Sequence, residues 1–304
     1  MNPMMMKRRQ FIRQTGMGSL AMMTPGMSSI VKGFLSAGFE MRTFRKNVGI
    51  FTERGGTIAW MITPESVAVV DAQFPEQARH LIDEIQKQSA ARIEYLINTH
   101  HHYDHTAGNI AFKGLAKKVV AHENSRINQQ NSARVQGNED KQLYPDVTFD
   151  KHWKAKAGEE EIEIHYHGAG HTNGDAIVHF KNANVAHVGD LVFNRRYPYI
   201  DKGAGASIEN WIVVLEKIHK HFDNDTIMVC GHSDNGYDIV ITKDDVMAFR
   251  NYLENVLSTV RKAIKSGMSK EEVMAIQAIE GSPEWEGNGI QRSLSAAYQE
   301  LTED

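Results

Sequence analysis

The 304-residue chain contains one cysteine, Cys230, so it can form no intramolecular disulfide and build no cysteine-rich zinc cluster. It has no run of 18 apolar residues, which leaves nothing long enough for a stable membrane span. From residue 39 onward there is no Pro/Gly/Ser-rich linker and no repeat of fixed period, and the length allows one large domain or two small ones. A composition 41% hydrophobic and 24% charged excludes collagen-like and disordered classes. Any metal site must draw on the 15 histidines and on carboxylates.

Acid is absent from the first 38 residues, which instead carry Lys7, Arg8, Arg9, Arg13 and Lys32. The rest of the chain then holds 29 basic residues against 38 acidic ones, and a negative body disfavours nucleic acid and anionic lipid as partners. A basic start, a weakly apolar stretch over Gly16 to Ser29 and small residues at Ser36-Ala37-Gly38 follow the layout of an export signal. Lys7-Arg8-Arg9-Gln10-Phe11-Ile12-Arg13 resembles a twin-arginine signature. The expectation is a signal peptide over 1–38, a folded domain over 39–304, and a periplasmic or exported protein.

In the body, short β-rich runs come first: Val48 to Phe51, Thr57 to Ile62 and Val67 to Val70. Pro75 to Gln88 has helical spacing, and Ile93 to Ile97 is a strand entering a histidine-rich loop. Strands are expected at Lys118 to Ala121, Glu161 to Tyr166, Ala176 to Phe180, Val185 to Val188 and Thr226 to Cys230. Helices are expected at Ile208 to Phe222, Asp244 to Ser266 and Lys270 to Ile279. Interleaved strands and helices predict sheet layers covered by helices, an α/β fold whose chemistry collects on loops beyond strand ends.

The decisive stretch is Thr99-His100-His101-His102-Tyr103-Asp104-His105, four histidines and an aspartate within six positions directly after a strand. Imidazole and carboxylate are borderline ligands, suited to zinc and also to iron or manganese. Three later strand ends offer more: Gly170-His171-Thr172, Gly189-Asp190 and Gly231-His232. Each has a glycine directly before the candidate ligand, as a tight turn or close backbone approach needs. His100 and His102 can point to the same side while His101 points away, which leaves seven ligand side chains, too many for one zinc, so the chemistry favours two.

These motifs resemble the metallo-β-lactamase superfamily: His100, His102, Asp104 and His105 in a His-x-His-x-Asp-His run, then His171, Asp190 and His232, in family order over about residues 46 to 235. The resemblance implies a four-layer αββα sandwich in a single domain, with the metals at one edge of the paired sheets. It also implies that His100, His102 and His171 hold one zinc, that Asp104, His105 and His232 hold a second, and that Asp190 bridges them. Asp71 fits the family's early aspartate, which helps hold the metal loop. Two ions about 3.5–4 Å apart would clamp a hydroxide nucleophile and polarise a substrate carbonyl, with Asp104 orienting the hydroxide.

A dinuclear hydrolase of small lactam, lactone or (thio)ester bonds is therefore expected, acting on a small molecule. Asp190 stands where the best-known lactamase subclass has cysteine, and looks like the bridging carboxylate of hydroxyacylglutathione hydrolases and lactonases. A β-lactamase proper is one alternative; a mononuclear iron enzyme like the persulfide dioxygenases is another. For the substrate, Arg195, Arg196 and Lys202 are candidates to hold a carboxylate and Tyr197 to line the pocket. Asn173 and Asp175, just after His171, are read as outer groups fixing imidazole tautomers. Phe51 to Ile62 is read as a hairpin flap over the mouth.

Overall fold

A computed structural model describes residues 32–36 and 38–303. The expected leader lies outside the described residues except at Lys32–Ser36 and Gly38; Lys32–Ser36 is a strand paired antiparallel with Phe39–Arg45. Among the described residues no helix is long and apolar enough to cross a membrane.

Two sheets form the centre. The first has eight strands, ordered Lys32–Ser36, Phe39–Arg45, Val48–Thr52, Ile58–Ile62, Val67–Val70, Ile93–Ile97, Ala116–His122 and Val147–Phe149. It is antiparallel up to Val67–Val70 and parallel thereafter. The second has six strands, ordered Val240–Ile241, Ile227–Val229, Val185–His187, Ile177–Phe180, Glu160–His165 and His152–Ala157.

Side-chain alternation builds the layers, because successive residues of a strand face opposite sides of the sheet. Ala68 and Val70 pack inward with Ile97, Ile162, Ile164 and Val178, forming the core between the sheets. Val67 and Val69 face the other way and meet Leu81, Ile82 and Ile85 of the helix Pro75–Gln88. On the far side, Ile177, Ala186 and Met228 pack against Trp211, Val214, Leu215 and Ile218 of the helix Ile208–His221. The long helix Lys243–Lys265 and the last helix, Ile290–Thr302, complete that layer. Helix, sheet, sheet and helix layers thus stack in the order expected.

Pro75 opens its helix, where a missing N–H costs nothing. Thr242 and Asp245 form a reciprocal cap at the start of Lys243–Lys265. The region read as a helix to Ile279 is helical only over Lys270–Met274. The hairpin expected as a flap is not one: Phe51 and Ile58 are fully buried in the helix-facing core. Its turn is tied down by Gly56 N–H to the Asp104 carbonyl (3.1 Å) and Thr57 N–H to the Gly231 carbonyl (3.0 Å).

Candidate metal centre

All the expected ligand residues converge where the strand ends of the two sheets meet. The parallel strand Ile93–Ile97 delivers Thr99 to His102, and a short helical turn over Tyr103–Thr106 carries Asp104 and His105. His171 lies beyond Glu160–His165, Asp190 follows Val185–His187, and His232 follows Ile227–Val229. Phe193–Asn194 pairs with His232–Ser233 in a two-stranded ribbon that fixes the Asp190 and His232 loops relative to one another.

The nitrogens form two groups around one carboxylate. His102 Nδ1 lies 3.0 Å from His100 Nε2 and 2.8 Å from His171 Nε2. In the second group His232 Nε2 lies 3.3 Å from His105 Nε2 and 3.1 Å from Asp104 Oδ2. Asp190 stands between them. Its Oδ2 is 3.4 Å from His171 Nε2 and 3.5 Å from His232 Nε2, and its Oδ1 is 3.1 Å from His105 Nε2.

Groups on the outer side of each ring assign the tautomers. His171 Nδ1 donates to the Tyr199 carbonyl (2.7 Å), so its Nε2 carries a lone pair. His102 Nε2 meets Asp201 Oδ2 at 2.9 Å and His105 Nδ1 meets Asp71 Oδ2 at 2.8 Å. Thr99 already donates its hydroxyl to Asp71 Oδ2 (2.7 Å), so His100 Nδ1, 3.0 Å away, is the donor to the Thr99 oxygen. Lone pairs of His100, His102 and His171 therefore face one another at hydrogen-bond distance with no proton left to share. A cation among them resolves that repulsion, and Asp190 Oδ2, 3.4 Å from His171 Nε2, offers it a further ligand atom, while Oδ1, buried without a hydrogen-bond partner, faces the second group. Imidazoles and carboxylates so arranged fit a borderline divalent ion such as zinc.

The electrostatics agree. Burial lowers His100 well below its usual range, and burial likewise lowers His171, to about 3, so both stay neutral as ligands must be. Burial works against charge on His105, yet Asp190, Asp104 and Asp71 together raise it well above the imidazole range. Burial opposes ionisation of Asp190 and Asp104, but the surrounding histidines hold Asp190 well below the usual carboxylate range and Asp104 at about 2. The place between these carboxylates favours positive charge, whether proton or metal.

Asp71 joins the two groups from behind. Its backbone adopts φ 64°, a left-handed conformation that aspartate tolerates better than most residues. That turn lets Oδ1 accept from Thr99 N–H (2.8 Å) while Oδ2 holds the Thr99 hydroxyl and His105.

The remaining candidates separate. Arg196 and Tyr197 line a cavity of about 320 Å³ that opens onto Asp104, His171, Asp190 and His232. Arg195 does not: its guanidinium pairs with Asp245 (2.6 Å) and Glu284 (3.6 Å) and lies over Trp285. Lys202 is held by Glu300 (2.9 Å) and the Ala206 carbonyl. Among the described residues, neither Asn173 nor Asp175 hydrogen-bonds to an imidazole. Asn173 accepts from Asn124, Asn128 and Tyr166, whereas Asp175 accepts from Gly170 N–H and from the N–H and hydroxyl of Thr172, fixing the turn that carries His171. His101, read as pointing away from His100 and His102, lies beside Asp201, with its Nε2 3.5 Å from Oδ2.

Two residues of the site were not anticipated. Arg292, on the last helix, lines the cavity, and nothing in its local sequence marks it. Asp201 lies within the basic stretch 194–202, where attention goes to the cations. Its removal has a measurable consequence: Asp201→Asn is expected to lower metal affinity by about 10–100-fold, because His102 loses the partner that orients it. Competition against a chromogenic chelator measures this, and unchanged affinity would show that Asp201 has no such role.

The family model described as the metallo-beta-lactamase superfamily matches residues 52–232. A metallo-beta-lactamase type 2 from Elizabethkingia meningoseptica is 26% identical over 186 residues, 60% of this chain and 71% of that protein. One from Bacillus cereus is 24% identical over 200 residues, 63% of this chain and 75% of that protein. Among solved structures, a metallo-beta-lactamase from Pontibacter korlensis aligns with TM-score 0.55 and 19% identity, covering 74% of this chain and 99% of that one. A stereoselective inverting sec-alkylsulfatase from Pseudomonas sp. aligns with TM-score 0.70 and 13% identity over 87% of this chain, which spans half the length of that protein.

Proposed function

As the chain belongs to the metallo-beta-lactamase superfamily and so is a metal-dependent hydrolase, we propose that it is a dinuclear zinc enzyme cleaving a small lactam, lactone or (thio)ester bond. The observation that carries this reading is the pair of ligand groups, His100/His102/His171 and Asp104/His105/His232, on either side of Asp190. Two zinc ions, when bound, acidify water to a nucleophile at neutral pH and polarise the scissile carbonyl.

The chain's own groups do the rest. Asp104, one third exposed at the cavity, can orient the attacking water through its carboxylate while its other contacts hold it near His232. His171 and His102 keep their ring planes through Tyr199 and Asp201, so the ligand set needs little rearrangement. Arg196 and Arg292 reach the cavity from opposite parts of the sequence and suit a substrate bearing a carboxylate. The twin-arginine-like leader supports an exported, periplasmic enzyme.

Metal content on protein purified without chelator, followed by a lactam, lactone and thioester panel, tests the reading. About two zinc per chain and turnover of one class is the expected result; one iron per chain without hydrolysis overturns it. With the active class known, Arg196→Ala and Arg292→Ala are each expected to raise KM for anionic substrates by about tenfold or more, with kcat little changed. Uncharged analogues serve as the control. Equal effects on both kinds of substrate would remove the carboxylate from the account.

A further inference from the structure

A second cluster of metal-ligating side chains lies outside this centre, on the helix-facing side of the second sheet. Ile162 and Ile164 point into the core between the sheets, so Glu163 and His165 point out on the opposite face. His152 is the direct cross-strand neighbour of His165 and shares that face. The ligand atoms of His152, Glu163 and His165 all lie within 4.8 Å of one another, with His165 Nε2 3.4 Å from Glu163 Oε2. His221, at the end of the helix Ile208–His221, brings its ring centroid to 4.8 Å from that of His165, and the His167 ring stacks at 5.9 Å.

Four clustered imidazoles, two of them grouped with one carboxylate, are poorly explained by packing. His165 Nε2 and His167 Nε2 are buried with no hydrogen-bond partner, which costs free energy unless something else satisfies them. Lys181 shares Glu163 at 3.5 Å but is itself substantially exposed, so it can swing away. The donor set is nitrogen-rich with one oxygen, which selects borderline transition ions over calcium or magnesium.

We propose that His152, Glu163 and His165, with His221 as the fourth donor, form an accessory site for a divalent transition-metal ion such as zinc. An ion there ties the strands His152–Ala157 and Glu160–His165 to the end of the helix Ile208–His221.

The test uses the full chain with its catalytic centre loaded. Further Zn2+ is titrated calorimetrically, and zinc is counted by mass spectrometry in wild type, His152→Ala, Glu163→Gln and His165→Ala. The expected result is one more zinc equivalent in wild type, bound at least about tenfold more weakly in each variant, with the hydrolysis rate and the earlier equivalents unchanged. Wild type, but not the variants, should also gain melting temperature as this site fills. His152 is exposed, so its variant keeps the comparison open even if His165→Ala folds poorly. An equal zinc count and affinity in wild type and His152→Ala, or no additional equivalent in wild type, overturns the proposal. Because the readout is a difference between variants, it holds whatever the first centre binds or hydrolyses.

Discussion

Asp190→Asn is expected to reduce hydrolysis by about three orders of magnitude and to release metal from both ligand groups together. Asp190 is only 4% exposed and lies within 3.1–3.8 Å of nitrogens from His100, His105, His171 and His232. Removing one partner of a buried charged group costs about 3–5 kcal/mol, and each 1.36 kcal/mol is a factor of ten in rate. An amide keeps the shape of the side chain but gives up the charge. The loss should therefore appear in turnover and metal content, and melting in excess chelator should also fall, because buried His105 loses a charged partner. Retention of two metal ions with a modest rate change would mean that the two groups do not depend on Asp190.

Gly231→Ala should be almost as damaging, for steric reasons alone. A Cβ at this position would overlap Asp190 Oδ1 and approach His105 Cε1 to 3.2 Å. Asp190 is fixed at the end of a buried strand, and the Gly231 carbonyl accepts from both Thr57 N–H and its hydroxyl, so neither side can retreat freely. A displacement near 1 Å in a catalytic group can cost about a hundredfold in rate. The measurement is kcat/KM alongside metal content and far-ultraviolet circular dichroism. A loss of about a hundredfold or more in a folded protein is expected, whereas wild-type activity would show that the loop can move aside. Gly56→Ala probes the same crowding from the hairpin turn, since its Cβ would meet the His105 ring.

Much of this arrangement was legible in the sequence, for identifiable reasons. The seven candidate ligands stood out because clustered histidines and glycine-preceded strand ends are local signals. The helix Pro75–Gln88 was readable at both ends from its proline and its apolar stripe. The helix Glu123–Gln136 was missed because it has no such stripe: it buries only Ser125, Gln129 and Ala133. The helix Ile290–Thr302 was missed as well; it starts after Gly289 with no side-chain cap to announce it. The outer groups divide in the same way. Asp71 ends an evident strand, but Tyr199 acts through its carbonyl and Asp201 through a contact 99 positions distant from His102, and neither leaves a pattern in the local sequence. Among the basic candidates, charge alone could not separate Arg196, which faces the cavity, from Arg195, which is neutralised by Asp245 and Glu284.

Arg292 gives the architecture a modular logic. The ligands all fall within the matched stretch 52–232, yet part of the cavity wall is supplied by a helix some sixty residues later in the chain. The cavity wall is therefore shared between Arg196 and Tyr197, inside that stretch, and a helix outside it that meets them only in three dimensions. Changes confined to position 292 would then reshape one wall of the cavity without altering any candidate ligand.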